Sequence, residues 1–522
     1  MTQVAKLACF SLTCRALLAQ PAAPVDHCAA LATVQLAGFS LTGIKAELVP
    51  AGPMPGGRGT PSAASLPAYC RLDGMIDRRQ SSSGTTYGIG FAIALPENWN
   101  GRFLFQGGGG LNGSVQPPFG ASAAGNEPAL SRGFAVASTD TGHQGRGGFD
   151  ASFLQDQQAS LDFAYAAVGR VAEVAKRIIA QYYGNPANHS YFAGCSTGGR
   201  EAMLMAQRYP SYFDGVVAGA PAMRTSYSGI GDRWVAATLN EVAPKDAKGV
   251  PLTKNALSES DKKTVIDGLL SACDALDGVK DHMIFNPQAC RFDPLTLVCN
   301  GPKTEGCLSK EQAAALVKAF AGPKDSKGRA VYPGFAFDTG IAATQGIPGL
   351  LYGGLNPVGP GFTEVGMDVD AAVDRVRSDP AESLTSTSRW TNLNTFSGHG
   401  GKLMFWHGMS DPWFSALDTV DYYERMSQAN GGANQVRNWS RLYLVPGMGH
   451  CGGGPETLDS FDALSAMVKW VEQGIAPESV NAPGRSIPGR SRPLCAYPMH
   501  AHYKGQGNPE DATSFECRAP NP

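Results

Sequence analysis

Residues 190–209 read SYFAGCSTGGREAMLMAQRY. A short apolar run ends at a glycine, a serine stands two residues on, and a helical pattern follows at once. Gly194-Cys195-Ser196-Thr197-Gly198 therefore fits G-x-S-x-G in the setting that gives the motif meaning, strand before and helix after. The turn is so sharp that side chains flanking Ser196 would collide, hence a glycine on either side. It also aims backbone N–H groups and the positive end of the helix at one point, where a developing oxyanion can be stabilised. The stretch predicts a nucleophilic Ser196 at the edge of a parallel sheet.

Outward from this point the pattern is regular. Strand-like runs occupy residues 34–49, 87–95, 102–106 and 134–138. A long helical pattern at 155–183 places Phe163, Ala166, Val168, Val171, Val174, Ile178 and Ile179 on one face, and Gly184-Asn185-Pro186 ends it. Short strands at 190–194 and 215–218 flank a helix at 198–209. Strand, helix, strand predicts a parallel sheet covered on both faces. The rhythm breaks between 221 and 390, where loops, four cysteines, helical patterns at 260–272 and 309–320 and a Gly/Pro-rich stretch at 346–362 suit an inserted domain. It resumes with strands at 402–406 and 441–445 and helices at 416–426 and 461–473. The expected architecture is an α/β-hydrolase fold built from residues 24–221 and 393–522, with a large lid domain inserted at 222–392.

The 522 residues are 43% hydrophobic and 17% charged, which describes a globular chain with more than one core. The formal net charge is −2, with no basic stripe, so neither nucleic acid nor an anionic membrane is an expected partner. A small molecule is. Lys6, the mainly apolar run 7–18 and the small residues around Ala22 and Ala23 read as an export signal over residues 1–23, although Arg15 interrupts the run. The protein is expected to be secreted or periplasmic. Cys9 and Cys14 would leave with the signal. Ten cysteines remain, none in a CxxC or finger spacing, so five disulfides explain them better than zinc.

A nucleophilic serine needs a base and an orienting acid, in the usual chain order Ser, acid, His. His450 follows the strand at 441–445 through Pro446-Gly447-Met448-Gly449. Asp411 follows the strand at 402–406 through His407-Gly408-Met409-Ser410, the matching position one strand earlier. His407 competes for the base role but precedes the acid. Ser196, Asp411 and His450 are thus the expected triad. Cys195 precedes the serine and Cys451 follows the histidine, so a triad within hydrogen-bond reach brings the two sulfurs close enough to bond. Two donors are needed for the oxyanion: Thr197 N–H, and one glycine of Gly107-Gly108-Gly109-Gly110 after the strand at 102–106, with Gly109 the choice here.

Gly-Cys-Ser-Thr-Gly-Gly-Arg with Gly-Met-Gly-His-Cys resembles the tannase and feruloyl esterase family, which also includes mono(2-hydroxyethyl) terephthalate hydrolase. The resemblance implies hydrolysis of aromatic-acid esters under a lid. It implies the Cys195–Cys451 bond, and with it Cys28–Cys70, Cys273–Cys290, Cys299–Cys307 and Cys495–Cys517. It assigns a structural Ca²⁺ to the side chains of Asp274, Asp277 and Asp281 and the carbonyls of Val279 and Met283. Read from chemistry alone, three carboxylates in eight residues suit either a hard cation or an acidic surface turn. The same resemblance puts His407 and Phe414 in the acyl pocket, where ordinary packing explains them equally well. The terephthalate hydrolase uses a lid arginine for its substrate's free carboxylate, and residues 330–374 here contain no Lys or Arg. Neutral feruloyl, galloyl or hydroxybenzoyl esters are therefore the expected substrates. A peptidase or lactonase on the same triad, and a non-catalytic calcium-dependent binding protein, are the rival readings.

Overall fold

The computed structural model describes residues 27–55, 64–120, 127–342 and 363–520. The expected export signal and the Gly/Pro-rich stretch at 346–362 lie outside them. One nine-stranded sheet organises the chain. Its strands are β1 (Leu41–Val49), β2 (Tyr69–Gln80), β3 (Thr86–Pro96), β4 (Arg102–Gln106), β5 (Ala135–Thr139), β6 (His189–Cys195), β7 (Gly215–Gly219), β8 (Lys402–Gly408) and β9 (Ser440–Val445). They lie in the order β1-β2-β3-β5-β4-β6-β7-β8-β9. The first pairings, through β3 with β5, are antiparallel and the remainder are parallel.

The burial pattern follows from that topology. Strands β5 and β7 are buried at every residue, as interior strands of a sheet covered on both faces must be. β2 carries Arg71, Asp73, Arg78 and Arg79 beside buried Cys70, Leu72 and Ile76, which suits an antiparallel strand near an edge. The sequence offered no strand there, and β1 starts at Leu41, later than the expected residue 34, because the chain turns at Gly38, φ 86°, where Phe39 N–H donates to Leu36 O at 3.1 Å. The expected helix at 155–183 is also divided. Gln157–Leu161 is followed by a π-turn at Asp162–Ala166 and then by α1 (Ala167–Tyr183).

One face of the sheet is packed by α1, α2 (Thr197–Arg208) and the helix at Ala416–Ala429, through Phe105, Phe192, Val171, Met205 and Tyr422. The other face is closed by the helix at Ala463–Gln473 and by two C-terminal hairpins, Ser479–Pro483 with Ser491–Cys495 and His500–Tyr503 with Phe515–Arg518. Between β7 and β8 the chain leaves the sheet. Helices Thr225–Asn240, Glu259–Cys273 and Lys310–Phe320 build a separate apolar cluster there with Val235, Leu239, Val265, Leu316 and Tyr332 at its centre. Two of these helices begin with complete capping boxes, at Ser258 and Ser309, which satisfy backbone donors that a short helix otherwise leaves orphaned. Because β4, β6, β8 and β9 are parallel, the loops after them emerge along one sheet edge. That edge collects Gly107–Gly110, Ser196, Asp411 and His450.

Candidate active site

Ser196 sits in a conformation that only a committed turn maintains, φ 64° and ψ −123°. A non-glycine residue there costs about 1–3 kcal/mol. The surrounding backbone holds it: Ser196 N–H donates to Gly219 O at 3.1 Å, and Ser196 O accepts from Ala222 N and Arg200 N, each at 3.0 Å. A Cβ on Gly194 would meet the Gly198 backbone at 2.6 Å, and one on Gly198 would meet Gly108 O at 2.6 Å. Both flanking glycines are thus required by close approach. Arg200, buried on α2, donates to the carbonyls of Phe163 and Ala164 at 2.9 and 2.8 Å, capturing groups that the π-turn leaves outside the helix ladder.

Asp411 is fully buried and uses all its oxygens. Oδ1 accepts the N–H groups of Trp413 and Phe414 at 2.9 and 3.1 Å, and Oδ2 lies 2.7 Å from His450 Nδ1. Burial alone would push this carboxyl up, but the charges and hydrogen bonds of His450 and His407 outweigh it and hold the group below its ordinary range. With Nδ1 turned to Asp411, His450 directs Nε2 away from the acid, where it is buried and has no hydrogen-bond partner among the described residues.

The serine and histidine loops are covalently joined. Cys195 and Cys451 form a disulfide with Cα atoms 6.0 Å apart, 256 residues distant in sequence. The other four expected pairs, Cys28–Cys70, Cys273–Cys290, Cys299–Cys307 and Cys495–Cys517, are formed as well.

The family model described as tannase and feruloyl esterase matches residues 72–350 and 360–518. This chain belongs to that family. It is 39% identical to mono(2-hydroxyethyl) terephthalate hydrolase of Piscinibacter sakaiensis, over 88% of this chain and 86% of that protein. It is 31% identical to a probable feruloyl esterase B-2 of Aspergillus terreus, over 81% and 82% of the two chains. Among solved structures, feruloyl esterase B from Aspergillus oryzae superposes with a TM-score of 0.75 at 27% identity, covering 94% of this chain and 99% of that one. The fold is of the α/β-hydrolase type, and the protein is a carboxylic ester hydrolase acting on small-molecule esters.

For this tannase and feruloyl esterase family member, the glycine loop is narrowed by counting donors. Gly107 N–H is spent on Ala193 O and Gly108 N–H on Glu201 Oε2, both at 2.9 Å. Gly109 and Gly110 N–H groups meet no acceptor among the described residues, and the space beside Gly109 is open. The Thr197 hydroxyl donates to Gly110 O, fastening this loop to the start of α2. Glu201, which sequence reasoning missed, is buried beneath the loop and also accepts from Asn112 Nδ2 at 2.6 Å.

The two expected pocket residues separate. Phe414 has its ring 5.3 Å from that of His450. His407 is corrected: its side chain is wholly buried, with Nδ1 2.8 Å from Thr419 Oγ1 and Nε2 3.1 Å from Asp411 Oδ2 and 3.0 Å from Phe414 O. It stands behind the acid and presents no surface to an acyl group. Half-buried Trp413 also lies at the base. It stacks on His450 at 5.2 Å and 14°, and Phe149 lies 5.6 Å beyond it. The Asp-Pro-Trp sequence at 411–413 is the only signal that placed it there.

The acidic segment joins the insertion to the C-terminal hairpins. Asp274 Oδ1 accepts from Asp281 N and His282 N at 3.1 and 3.0 Å, and Asp277 accepts from Val279 N and Phe285 N at 3.3 and 3.4 Å. Asp281 pairs with buried Arg492, while Arg490 is taken by Glu510. Among the described residues no three acidic, His or Cys side chains converge on a common point. All three aspartates are nonetheless buried, beside the guanidinium of Arg492 on Asp281 Oδ2 and that of Arg490, which donates to Asp281 O at 2.8 Å. Burial, with the charge of Asp281, pushes Asp277 up to about 7. Carboxylate oxygens are of the hard donor type that a divalent cation such as Ca²⁺ takes.

Proposed function

We propose that the protein hydrolyses carboxylic esters of aromatic acids, of feruloyl, galloyl or hydroxybenzoyl type, through Ser196, His450 and Asp411. The observation that carries this is His450, bonded through Nδ1 to a buried carboxylate, unpartnered at Nε2, and linked by Cys451 to the residue preceding Ser196. In this mechanism Nε2 takes the Ser196 proton as Oγ attacks the ester carbonyl. Thr197 N–H and the N–H of Gly109 or Gly110 receive the negative charge on the carbonyl oxygen. Collapse expels the alcohol, which takes the proton from His450. Water then attacks the acyl-enzyme by the same route in reverse and releases the acid. Trp413, Phe149 and Phe414 supply aromatic surface around the base, which suits an aromatic acyl group.

A second reading, hydrolysis of a terephthalate monoester, is favoured by the 39% identity to the Piscinibacter sakaiensis enzyme. The absence of Lys and Arg from residues 330–374 weighs against it, because a free carboxylate would lack a cation from that part of the lid.

The same proposal includes a structural Ca²⁺ held by Asp274, Asp277 and Asp281 with the carbonyls of Val279 and Met283, pinning the insertion to the C-terminal hairpins. It also includes export. Ten cysteines paired as five disulfides suit an oxidising compartment, and no helix among the described residues is long and apolar enough to cross a membrane.

A fluorophosphonate probe tests the nucleophile. Mass spectrometry is expected to find the adduct on the Ser196 peptide, and Ser196→Ala to abolish it. Folded wild-type protein that stays unlabelled would overturn the proposal.

A further inference from the structure

Asp338 belongs to the insertion, yet its carboxylate lies between the loop that carries Asp411 and the loop that carries His450. It is 3% exposed, and one oxygen, Oδ2, accepts both the Ser410 hydroxyl at 2.8 Å and Gly447 N–H at 2.7 Å. Ser410 immediately precedes Asp411, and Gly447 opens the turn that ends at His450. Gly340, two residues beyond Asp338, donates its N–H to Ser410 Oγ at 3.0 Å.

The approach is close on both sides. A Cβ on Gly340 would meet Ser410 Cβ at 2.2 Å, and one on Gly447 would come within 3.0 Å of Thr339 Oγ1. The same strap continues along the acid loop, where Tyr332 OH accepts Ser415 N–H at 3.0 Å and Gly334 O accepts the Ser415 hydroxyl at 2.6 Å. The two catalytic loops touch each other through Ser410 N–H to Met448 O at 3.0 Å. Asp338 therefore closes a ring of hydrogen bonds: lid strap, acid loop, base loop.

We infer that Asp338 is a positioning residue through which the inserted domain sets the Asp411–His450 geometry. A buried carboxylate is retained only where its hydrogen bonds compensate lost hydration, and here they go to the two loops whose spacing governs proton transfer. At 3% exposure Asp338 offers almost no surface to a substrate, so on this inference it acts on the transition state through the triad and not on binding. The insertion thus contributes to catalytic alignment. This rests on the triad reading proposed above, which Ser196→Ala tests separately.

The experiment is Asp338→Asn in the full-length protein, with kcat, KM and the rate of Ser196 labelling by a fluorophosphonate measured per folded molecule. A carboxamide oxygen is a weaker acceptor of the same shape. It is expected to lower kcat and the labelling rate together by about tenfold, with KM within about twofold of wild type, as misplacement of a catalytic group does. A role confined to stability predicts a lower Tm with kcat and labelling rate of the folded protein unchanged, and that result overturns the inference. So does a rise in KM alone. Should Asp338→Asn not fold, Ser410→Ala decides, since it removes one side of the ring and leaves the carboxylate in place. A fall in kcat of about threefold at constant KM supports the inference, and wild-type kcat contradicts it.

Discussion

Cys195 and Cys451 are bonded to each other, so the residue before the candidate nucleophile and the residue after the candidate base are held with Cα atoms 6.0 Å apart. The loop closed is 256 residues long, for which chain-entropy arguments give a contribution of about 5 kcal/mol. Replacing both cysteines by serine is expected to lower Tm and also kcat of the molecules that remain folded. Calorimetry with active-site titration separates the two effects. Unchanged kcat per titrated site would make the bond a stability element only.

His407 and Thr419 fix Asp411 from behind. The Thr419 hydroxyl at Nδ1 favours the tautomer that donates from Nε2 to Asp411 Oδ2. Thr419→Val keeps the ring but removes that preference. It is expected to lower kcat by about tenfold, a small part of what a wrong tautomer costs at a triad, with little change in KM. Steady-state kinetics on one ester is sufficient, and an unaltered kcat would show that His407 is only packing.

His143 gives the protein an acid-side weakness. It is buried, stacked on Phe153 at 3.8 Å, and burial pushes its imidazole down to about 4 from an ordinary value of 6.5. Between those values the unfolded chain binds the proton and the folded one does not. Stability is therefore complete above 6.5 and lost as pH falls toward 4. Asp140, pushed up to about 7 by burial, has the opposite slope over most of the same range, so a variant is needed to isolate His143. Urea unfolding at pH 4.5 and 6.5 is expected to show a pH-dependent loss larger in wild type than in His143→Gln by about 2 kcal/mol. Equal slopes would contradict it.

The calcium proposal predicts that EDTA lowers Tm by about 3 °C or more and that Ca²⁺ restores it. Mg²⁺ is expected to restore it less, because it demands a tighter octahedral shell. Asp277→Asn should abolish the response. A Tm indifferent to chelator would remove the metal from the account.

Much of this site was legible in sequence because its elements are local. G-x-S-x-G with its flanking strand and helix, and the strand–loop positions of Asp411 and His450, need no long-range information, and apolar strands buried on both faces are plain in composition. What escaped was long-range or mixed in character. β2 alternates Arg71, Asp73 and Arg79 with buried residues near the sheet edge, a weak strand signal. The C-terminal hairpins are short, and the helix at Thr225–Asn240 has little amphipathic contrast. Glu201 and Asp338 act on loops 93 and 109 residues away, at Gly108 and Gly447, and only the folded chain brings them there. His407 was misplaced because proximity in sequence to Asp411 does not say on which side of the carboxylate the ring falls.

The most direct measurement is hydrolysis of methyl ferulate, methyl gallate, mono(2-hydroxyethyl) terephthalate and a butyrate ester by wild type and by Ser196→Ala. The account predicts turnover of a neutral aromatic ester in preference to the other two classes, abolished by the substitution. Preference for the terephthalate monoester would move the substrate assignment to the second reading. No turnover of any ester by folded, calcium-supplied protein, or full turnover by Ser196→Ala, would contradict the central claim.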